Sequence, residues 1–465
     1  MVAKKPLRIL QVSSSDIHGG AEKVAWDLFE AYRRRGHRSW LAVGQKWSKD
    51  LDVVVIPNLE MRGRWVRFWS SISSNFNSST APARAVKFFC RAAIAGADPA
   101  RTFDFLRGLE DFRFPGTSRL LTLTGPSPQI LHCHNLHSGY FDLRMLSLFS
   151  CQMPVVLTLH DAWLLSGHCS HSFACQRWKT GCGHCPDLTI PPSIWRDATA
   201  ENWRRKQEIF AQSRLYIATP CHWLMKKVEE SMLSPAVVDA RVITNGVDLS
   251  IFHPADRQAA RANLDIPQEA RVLLTTGVMM RRNRWKDYAT LKQAVTLAAK
   301  GLPEQDLLLL VLGEDAPPEQ IDRVLIRYIG YQSDPRIVAR YYQAADIYIH
   351  AARADTFPTS VLEAMACGTP VAATAVGGIP EQVEDMRTGF LVGMGDVRGL
   401  ASRIAQLFSN EGMKRDMGWK AVERVRRYYN FDVQVAAYLD WYEELLRKRT
   451  ESMSVEKSYA LSHAR

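Results

Sequence analysis

Two carboxylates, Asp355 and Glu363, stand on either side of seven residues in ADTFPTSVLEAMACGTPVAATAVGGIPEQV, which begins at Ala354. A proline turn and a predicted helix start lie between them. The amides of Thr359, Ser360 and Val361 would then face whatever precedes the helix, and such N–H groups make a phosphate site. A carboxylate just beyond can grip a ribose or sugar hydroxyl. Gly368 with Pro370 ends the helix, and Gly377-Gly378 permits a second close backbone approach. Residue by residue, the string also reads as an ordinary helix with an acidic first turn. A second constellation is GHCSHSFACQRWKTGCGHCP, residues 167–186, in which Cys169, Cys175, Cys182 and Cys185 are spaced Cys-x5-Cys-x6-Cys-x2-Cys. Four thiolates with glycines at 181 and 183 predict a closed structural zinc knuckle, since a catalytic zinc keeps one position open. An iron–sulfur cluster would use the same ligands, and buried free thiols are the plain alternative. Cys133 and Cys367 read as small core hydrophobes.

The elements that must position these residues alternate between strand and helix. RILQV (8–12), SWLAV (39–43), QILHCHN (129–135) and PVVLTLHD (154–161) form one series of strands. RVLLTTG (271–277), DLLLLVLG (306–313), DIYIHAA (346–352) and PVAATAV (370–376) form a second. Strands alternating with helices predict parallel sheets with ligands at the strands' carboxyl ends. Two series in 465 residues predict an α/β protein of two doubly wound domains. The hinge is placed near Ala218 to Cys221, giving domains 1–217 and 218–447 and a frayed polar tail, 448–465, with the last helix packing back on the first domain. Residues 61–105, rich in Arg, Trp and Phe, break the rhythm. They read as an insertion packed on the first domain or as a flap that touches an acceptor or a membrane surface.

Hydrophobic content of 46% and charged content of 23% are those of a soluble globular protein. Lys and Arg outnumber Asp and Glu by 59 to 48, and the net charge of +11 favours anionic partners without choosing among them. The apolar run Leu7 to Val12 is too short for a signal segment, and no stretch approaches the roughly 20 apolar residues of a membrane span. The expected location is therefore the cytosol, where disulfides are rare and clustered cysteines more often bind metal. The basic residues are dispersed rather than gathered with aromatics on one face, which argues against nucleic acid as the partner.

Taken in order, the motifs resemble family 4 glycosyltransferases over most of the chain. The Asp355–Glu363 string resembles the family's nucleotide-sugar signature, whose usual form is Glu, seven residues, Glu. GGAEKVAWDLFEAYRRRGH (19–37) is similar to its glycine loop and first helix, and TLHDAW (158–163) to its acceptor-domain histidine motif. ITNGVDLSIFHP (243–254), YYQAADIYIHAA and TGFLVGMGD (388–396) also match in order. Within the family the chain looks most like bacterial exopolysaccharide transferases that carry HD-x-W followed by a cysteine cluster.

The resemblance implies a GT-B architecture, two Rossmann-like domains facing a cleft, with the donor on the second domain and the acceptor on the first. It implies transfer with retention from a UDP- or GDP-sugar to a saccharide or polyprenyl-linked saccharide in bacterial surface polysaccharide assembly, with peripheral contact at the inner face of the plasma membrane. Lys286 matches the family's phosphate lysine. Val278 stands where the family commonly places arginine, so Arg281 or Arg282 must serve instead. Gly19 and Gly20 bring backbone to the diphosphate or acceptor oxygen. His160 matches the histidine that contacts the transferred sugar, or equally orients a group that does, and Asp161 would fix its tautomer. Glu363 fits the ribose carboxylate. Asp355 keeps the charge of the usual first glutamate with a shorter reach, which bears on sugar choice. No general base is evident, as suits a same-face mechanism in which the leaving phosphate takes the acceptor proton. Lysine and helix dipoles in place of clustered aspartates imply turnover with no cofactor and no added divalent cation, zinc being structural. A sugar-nucleotide epimerase shares the architecture, and a zinc-containing nucleic-acid protein is the remaining alternative.

Overall fold

The computed structural model describes residues 5–17, 19–75, 81–302 and 306–463, with the backbone alone at 81–84 and 452–463. One sheet holds β1 (Arg8–Ser15), β2 (Arg38–Gln45), β3 (Val53–Val55), β4 (Ile130–His134), β5 (Val155–Thr158), β6 (Leu215–Thr219) and β7 (Val237–Val242). Their order is β3-β2-β1-β4-β5-β6-β7, and every pairing is parallel. The other sheet holds β8 (Arg271–Thr276), β9 (Leu307–Leu312), β10 (Glu319–Ile321), β11 (Val324–Ile329), β12 (Ile347–His350), β13 (Val371–Thr374) and β14 (Gly389–Val392). It is ordered β10-β11-β9-β8-β12-β13-β14 and is parallel except for the β10–β11 hairpin. All eight strands expected from sequence are present. The other six include the three-residue edge strands β3 and β10, too short to show a period.

Apolar burial holds each sheet. In the first, Val24, Ala25, Leu28, Phe29 and Tyr32 line one face of the helix Gly20–Arg34, and Ala25 and Phe29 pack on Leu41, Val43 and Val53. In the second, Leu273, Leu309, Val311, Ile347 and Ile349 form a core with Leu291, Phe390, Leu400 and Ile404. Burying such a side chain stabilises by about 1.5–3 kcal/mol. In each sheet the strand order reverses at one place, between β1 and β4 and between β8 and β12. Loops leaving the carboxyl ends there diverge and open a crevice.

The chain divides into two compact units, Met1–Thr219 with Met225–Val242 and Leu439–Arg465, and Pro220–Leu224 with Ile243–Tyr438. The boundary expected at 217/218 cuts through β6, and β7, expected in the second domain, is the edge strand of the first sheet. Its sequence, VVDARV, interrupts the apolar run with Asp239 and Arg241, since as an edge strand it pairs only with β6 and none of its residues is fully buried. The separate tail expected from 448 is also corrected. Phe431–His463 is one helix, supported by Glu444–Lys448 and Arg447–Glu451 pairs, and residues 464–465 lie outside the described residues. Within the first unit, Tyr442 of this helix reaches Tyr32 Oη at 3.1 Å and His132 Nδ1 at 2.6 Å. Residues 61–105 fold into the helices Arg64–Asn75, Ala81–Ala97 and Pro99–Leu106, with 76–80 outside the described residues.

The loops of the first unit are tied by a buried ion pair. Lys206 Nζ lies 2.8 Å from Glu110 Oε2, donates to the carbonyls of Trp163 and Ser166 at 3.0 Å, and sits 3.9 Å from the Trp163 ring centroid. Replacing only the lysine strands the Glu110 carboxylate. Lys206→Met is expected to lower stability in urea unfolding by about 3 kcal/mol or more, and a loss below about 1 kcal/mol would contradict this account.

Candidate functional site

In the second unit the crevice between β8 and β12 gathers the expected donor residues. Lys286 follows β8 in a loop sewn onto the β12 exit, where Asp287 N–H donates to Ala351 O and Arg353 N–H to Trp285 O. This places Lys286 Nζ 2.8 Å from Asp355 Oδ2. His350, the last residue of β12, lies 3.1 Å from the same carboxylate oxygen and 3.3 Å from Lys286 Nζ. Burial alone would raise the Asp355 pKa, but the Lys286 ammonium and His350 outweigh it and hold the carboxyl well below the usual range. Burial and the Lys286 charge push His350 down, so its ring is neutral. A neutral His350 that donates from Nε2 to Asp355 accepts at Nδ1 from Tyr348 Oη, 3.2 Å away, and Thr276 Oγ1 lies 2.9 Å from that hydroxyl.

The helix Thr359–Ala366 starts just beyond Asp355. Of the three amides expected to face a phosphate, that of Val361 turns back to Pro358 O at 3.3 Å, while Thr359 and Ser360 open the first turn. Glu363 is buried and accepts from Tyr342 Oη at 3.0 Å. Gly377-Gly378 has a definite task. Gly377 has φ +56°, and a Cβ on it would strike Asp355 O. The Gly378 amide donates to Thr356 O at 2.9 Å, so the pair props the loop that carries Asp355. Arg281 lies 3.0 Å from Glu314 Oε1 and stacks over Tyr328. Arg282 is exposed in the same turn.

In the first unit the β1–β4 crevice holds the other group. Gly19 has φ +131°, and a Cβ there would collide with the Glu22 carboxylate, whereas one on Gly20 would meet nothing within 4 Å. Glu22 is fixed by Ser14 Oγ at 2.5 Å. His160 Nε2 lies 3.0 Å from His134 Nδ1, and His134 Nε2 lies 3.1 Å from Gln11 Oε1. Burial lowers the pKa of His160 to about 4 despite neighbouring Asp161, and lowers that of His134 well below its usual value. Asp161 is not the partner that fixes the His160 ring. Its Oδ2 instead bonds His137 Nε2 at 2.8 Å, and its Oδ1 accepts from the Trp163 amide at 2.9 Å.

The residues not foreseen are His134, His137, Gln11, Glu22, His350, Tyr342 and Tyr348. One signal was present: His132 and His134 alternate in QILHCHN, and residues two apart on a strand share a face. Their ring centroids are 4.1 Å apart.

The four cysteines are not gathered into one cluster. Cys169, Cys175, Cys182 and Cys185 are free thiols, and among the described residues no group of three or more His, Cys, Asp or Glu side chains is placed to hold a metal ion. The sulfurs take other partners: Cys182 Sγ accepts from the Gly167 amide and Cys185 Sγ meets His168 Nε2, each at 3.3 Å. Burial pushes the Cys169 and Cys182 thiols up to about 11 and about 12. Gly181, Cys182, Gly183 and His184 all have positive φ, so the two glycines serve a left-handed turn.

Two parallel α/β sheets, each with polar side chains at its switch point, define the GT-B class of fold. Residues 18–251 match the family model described as Glycosyltransferase Family 4, and residues 270–410 match Glycosyl transferases group 1. The chain belongs to glycosyltransferase family 4. It is 32% identical over 213 residues to a D-inositol 3-phosphate glycosyltransferase of Catenulispora acidiphila, covering 43% of this chain and 49% of that one. It is 26% identical over 269 residues to a protein of Escherichia coli K12 named as the colanic acid biosynthesis glycosyl transferase WcaC, covering 55% of this chain and 62% of that one. The chain thus spans about half to three fifths of these relatives' lengths. The crystal structure of Anabaena HepE in complex with UDP superposes with a TM-score of 0.58 at 14% identity, covering 94% of this chain and 100% of that one.

The His137–Asp161 pair has a measurable signature. Burial would depress the His137 pKa, but Asp161 outweighs it and the value is raised above 6.5, with nearby Glu22 adding to the rise. A raised folded-state value means that the pair's stabilisation is complete below the unfolded value near 6.5 and fades as pH rises through the folded one. NMR titration is expected to place His137 above 6.5 in the native protein and below it in Asp161→Asn. An unshifted value in the variant would remove the pairing.

Proposed function

We propose that the protein is a retaining glycosyltransferase that moves a sugar from a UDP- or GDP-sugar to a saccharide or polyprenyl-linked saccharide in bacterial surface polysaccharide synthesis. The observation that carries this reading is the Lys286–Asp355–His350 cluster beside the N-terminus of the helix bearing Glu363, at the β8–β12 switch point. Breaking a glycosyl–phosphate bond places negative charge on the leaving diphosphate and positive charge on the anomeric carbon. Lys286 and the Thr359 and Ser360 amides meet the first, fixed in place before reaction. The Asp355 carboxylate, held ionised, lies beside the second or binds a sugar hydroxyl, and Glu363 takes the ribose. His160, neutral at physiological pH, offers a hydrogen bond rather than a charge to the transferred sugar. The leaving phosphate takes the acceptor proton on the same face, which gives retention. The names of the WcaC and HepE proteins support polysaccharide assembly and a uridine donor.

Incubation with a panel of UDP- and GDP-sugars is expected to release the nucleoside diphosphate from one of them, with EDTA making no difference. Glu363→Ala is expected to weaken donor binding by about tenfold or more, the value of a hydrogen bond to a charged group. Epimerised donor without transfer would replace this reading with an epimerase, and absence of nucleotide binding would end it.

The helices of residues 61–105 support a peripheral membrane contact at the cytoplasmic face. Seven Lys or Arg stand there against two Asp, and Trp65, Phe68, Phe88, Phe89 and Phe103 are each more than half exposed. Among the described residues no helix is long and apolar enough to cross a membrane. Co-sedimentation with vesicles containing phosphatidylglycerol is expected, reduced by about fivefold or more when Trp65, Phe68, Phe88 and Phe89 are replaced by serine. Equal sedimentation of the two proteins would remove the contact.

A further inference from the structure

A cavity of 590 Å³ lies wholly within the first unit, between residues 105–111, the loop after β4, Trp163 and residues 188–195. It is large enough for one or two sugar rings, and its walls are mainly apolar with a few polar groups, the composition of a small-molecule site. Trp163 and Phe141 line it, and Phe105 and Trp195, both more than half exposed, also stand at its wall with ring centroids 6.2 Å apart. His137 and Ser138 also face it, and His137 is the ring held by Asp161, the neighbour of His160.

The electrostatics select the ligand. Although the chain carries +11, no Lys or Arg is among the described residues that line this cavity. Its two carboxylates are neutralised from behind, Glu110 by Lys206 at 2.8 Å and Asp111 by Arg101. A phosphate placed there would lose hydration and find no Lys or Arg, and the one ring drawn toward its charged form, His137, is already paired with Asp161 at 2.8 Å. A hydrocarbon chain would desolvate the paired His137 Nδ1 and Ser138 Oγ, 2.8 Å apart, and the Glu110 and Asp111 carboxylates without returning a hydrogen bond to any of them. A sugar ring meets both requirements, with C–H faces for the aromatic walls and hydroxyls for the Ser138 oxygen and the two carboxylates.

We propose that this cavity binds an uncharged sugar ring of the acceptor and excludes phosphorylated sugars. The inference rests on the glycosyltransferase reading above and adds the chemical class of the acceptor. It also separates this chain from the relatives named for inositol 3-phosphate. Residues 188–195, which follow the cysteine loop, form one wall. That loop is fastened to them by the Ser170 amide donating to Pro191 O at 2.9 Å.

The test is saturation-transfer NMR on the full chain with glucose, galactose, mannose and N-acetylglucosamine, each as the free sugar and as its 6-phosphate, and with octyl glucoside. Transfer to the ring protons of at least one neutral sugar is expected, with none to the 6-phosphates. That signal is expected to fall by about tenfold in Leu188→Trp, which fills the cavity, and by about threefold in the exposed-site variant Trp195→Ala. Comparable transfer to phosphates, transfer to the octyl chain rather than the ring, a neutral-sugar signal that survives Leu188→Trp, or no transfer to any sugar would each overturn it. Calorimetric titration with UDP and GDP on the same samples keeps the two readings apart. Nucleotide binding without a sugar in the cavity sinks this inference alone, whereas absence of nucleotide binding sinks the donor reading.

Discussion

Parallel strand pairing is the constraint on which the rest of this protein depends. A parallel strand cannot be reached by a tight turn, so each crosses back over the sheet and every carboxyl end lies at the same edge. Two of these ends diverge where the order reverses, and there the chain places its polar side chains: Lys286, His350 and Asp355 at β8–β12, and Gly19, His134 and His160 around β1–β4. The crevices need no special folding device. They follow from the order of strands, and evolution has only to choose the residues that leave them.

Such placement strands polar groups at the rim of an apolar sheet, and the protein answers with closed local networks. Asp355 is shared between a lysine and a neutral histidine, His350 is backed by Tyr348, and Tyr348 by Thr276. In the first unit, His132 lies between Tyr442 and Thr158, and His134 between His160 and Gln11. Because each partner is fixed before any ligand arrives, charge and tautomer at the reacting end are set by the scaffold rather than by water. The glycines act in the same sense: Gly19 and Gly377 remove side chains that would displace Glu22 and Asp355.

Much of this was legible in one dimension. Continuous apolar runs such as DLLLLVLG specify buried parallel strands whatever surrounds them, and the Asp355–Glu363 spacing survives folding because a turn and one helical turn fix it locally. Edge strands were not legible, because β3 and β10 are too short for a period and β7 interrupts its apolar run with Asp239 and Arg241. The domain limit failed for the same reason, since β7 joins the first sheet through pairing with β6 after an excursion into the other unit. The cysteine spacing does not fix where the sulfurs lie, because ligand spacing states that thiols can converge and not that they do.

The sequence by itself therefore determined the α/β class, most of the strands, the family motifs and the local carboxylate–helix unit. Each of these depends on contacts within a few residues or on a period that only one element satisfies. The tertiary structure alone decided which charges meet. It gave Asp161 to His137 rather than to His160, and Lys206 to Glu110 across 96 residues of chain. Such pairings are chosen by burial, since an ion taken out of water must find whichever opposite charge the fold brings within reach, and sequence distance carries no information about that.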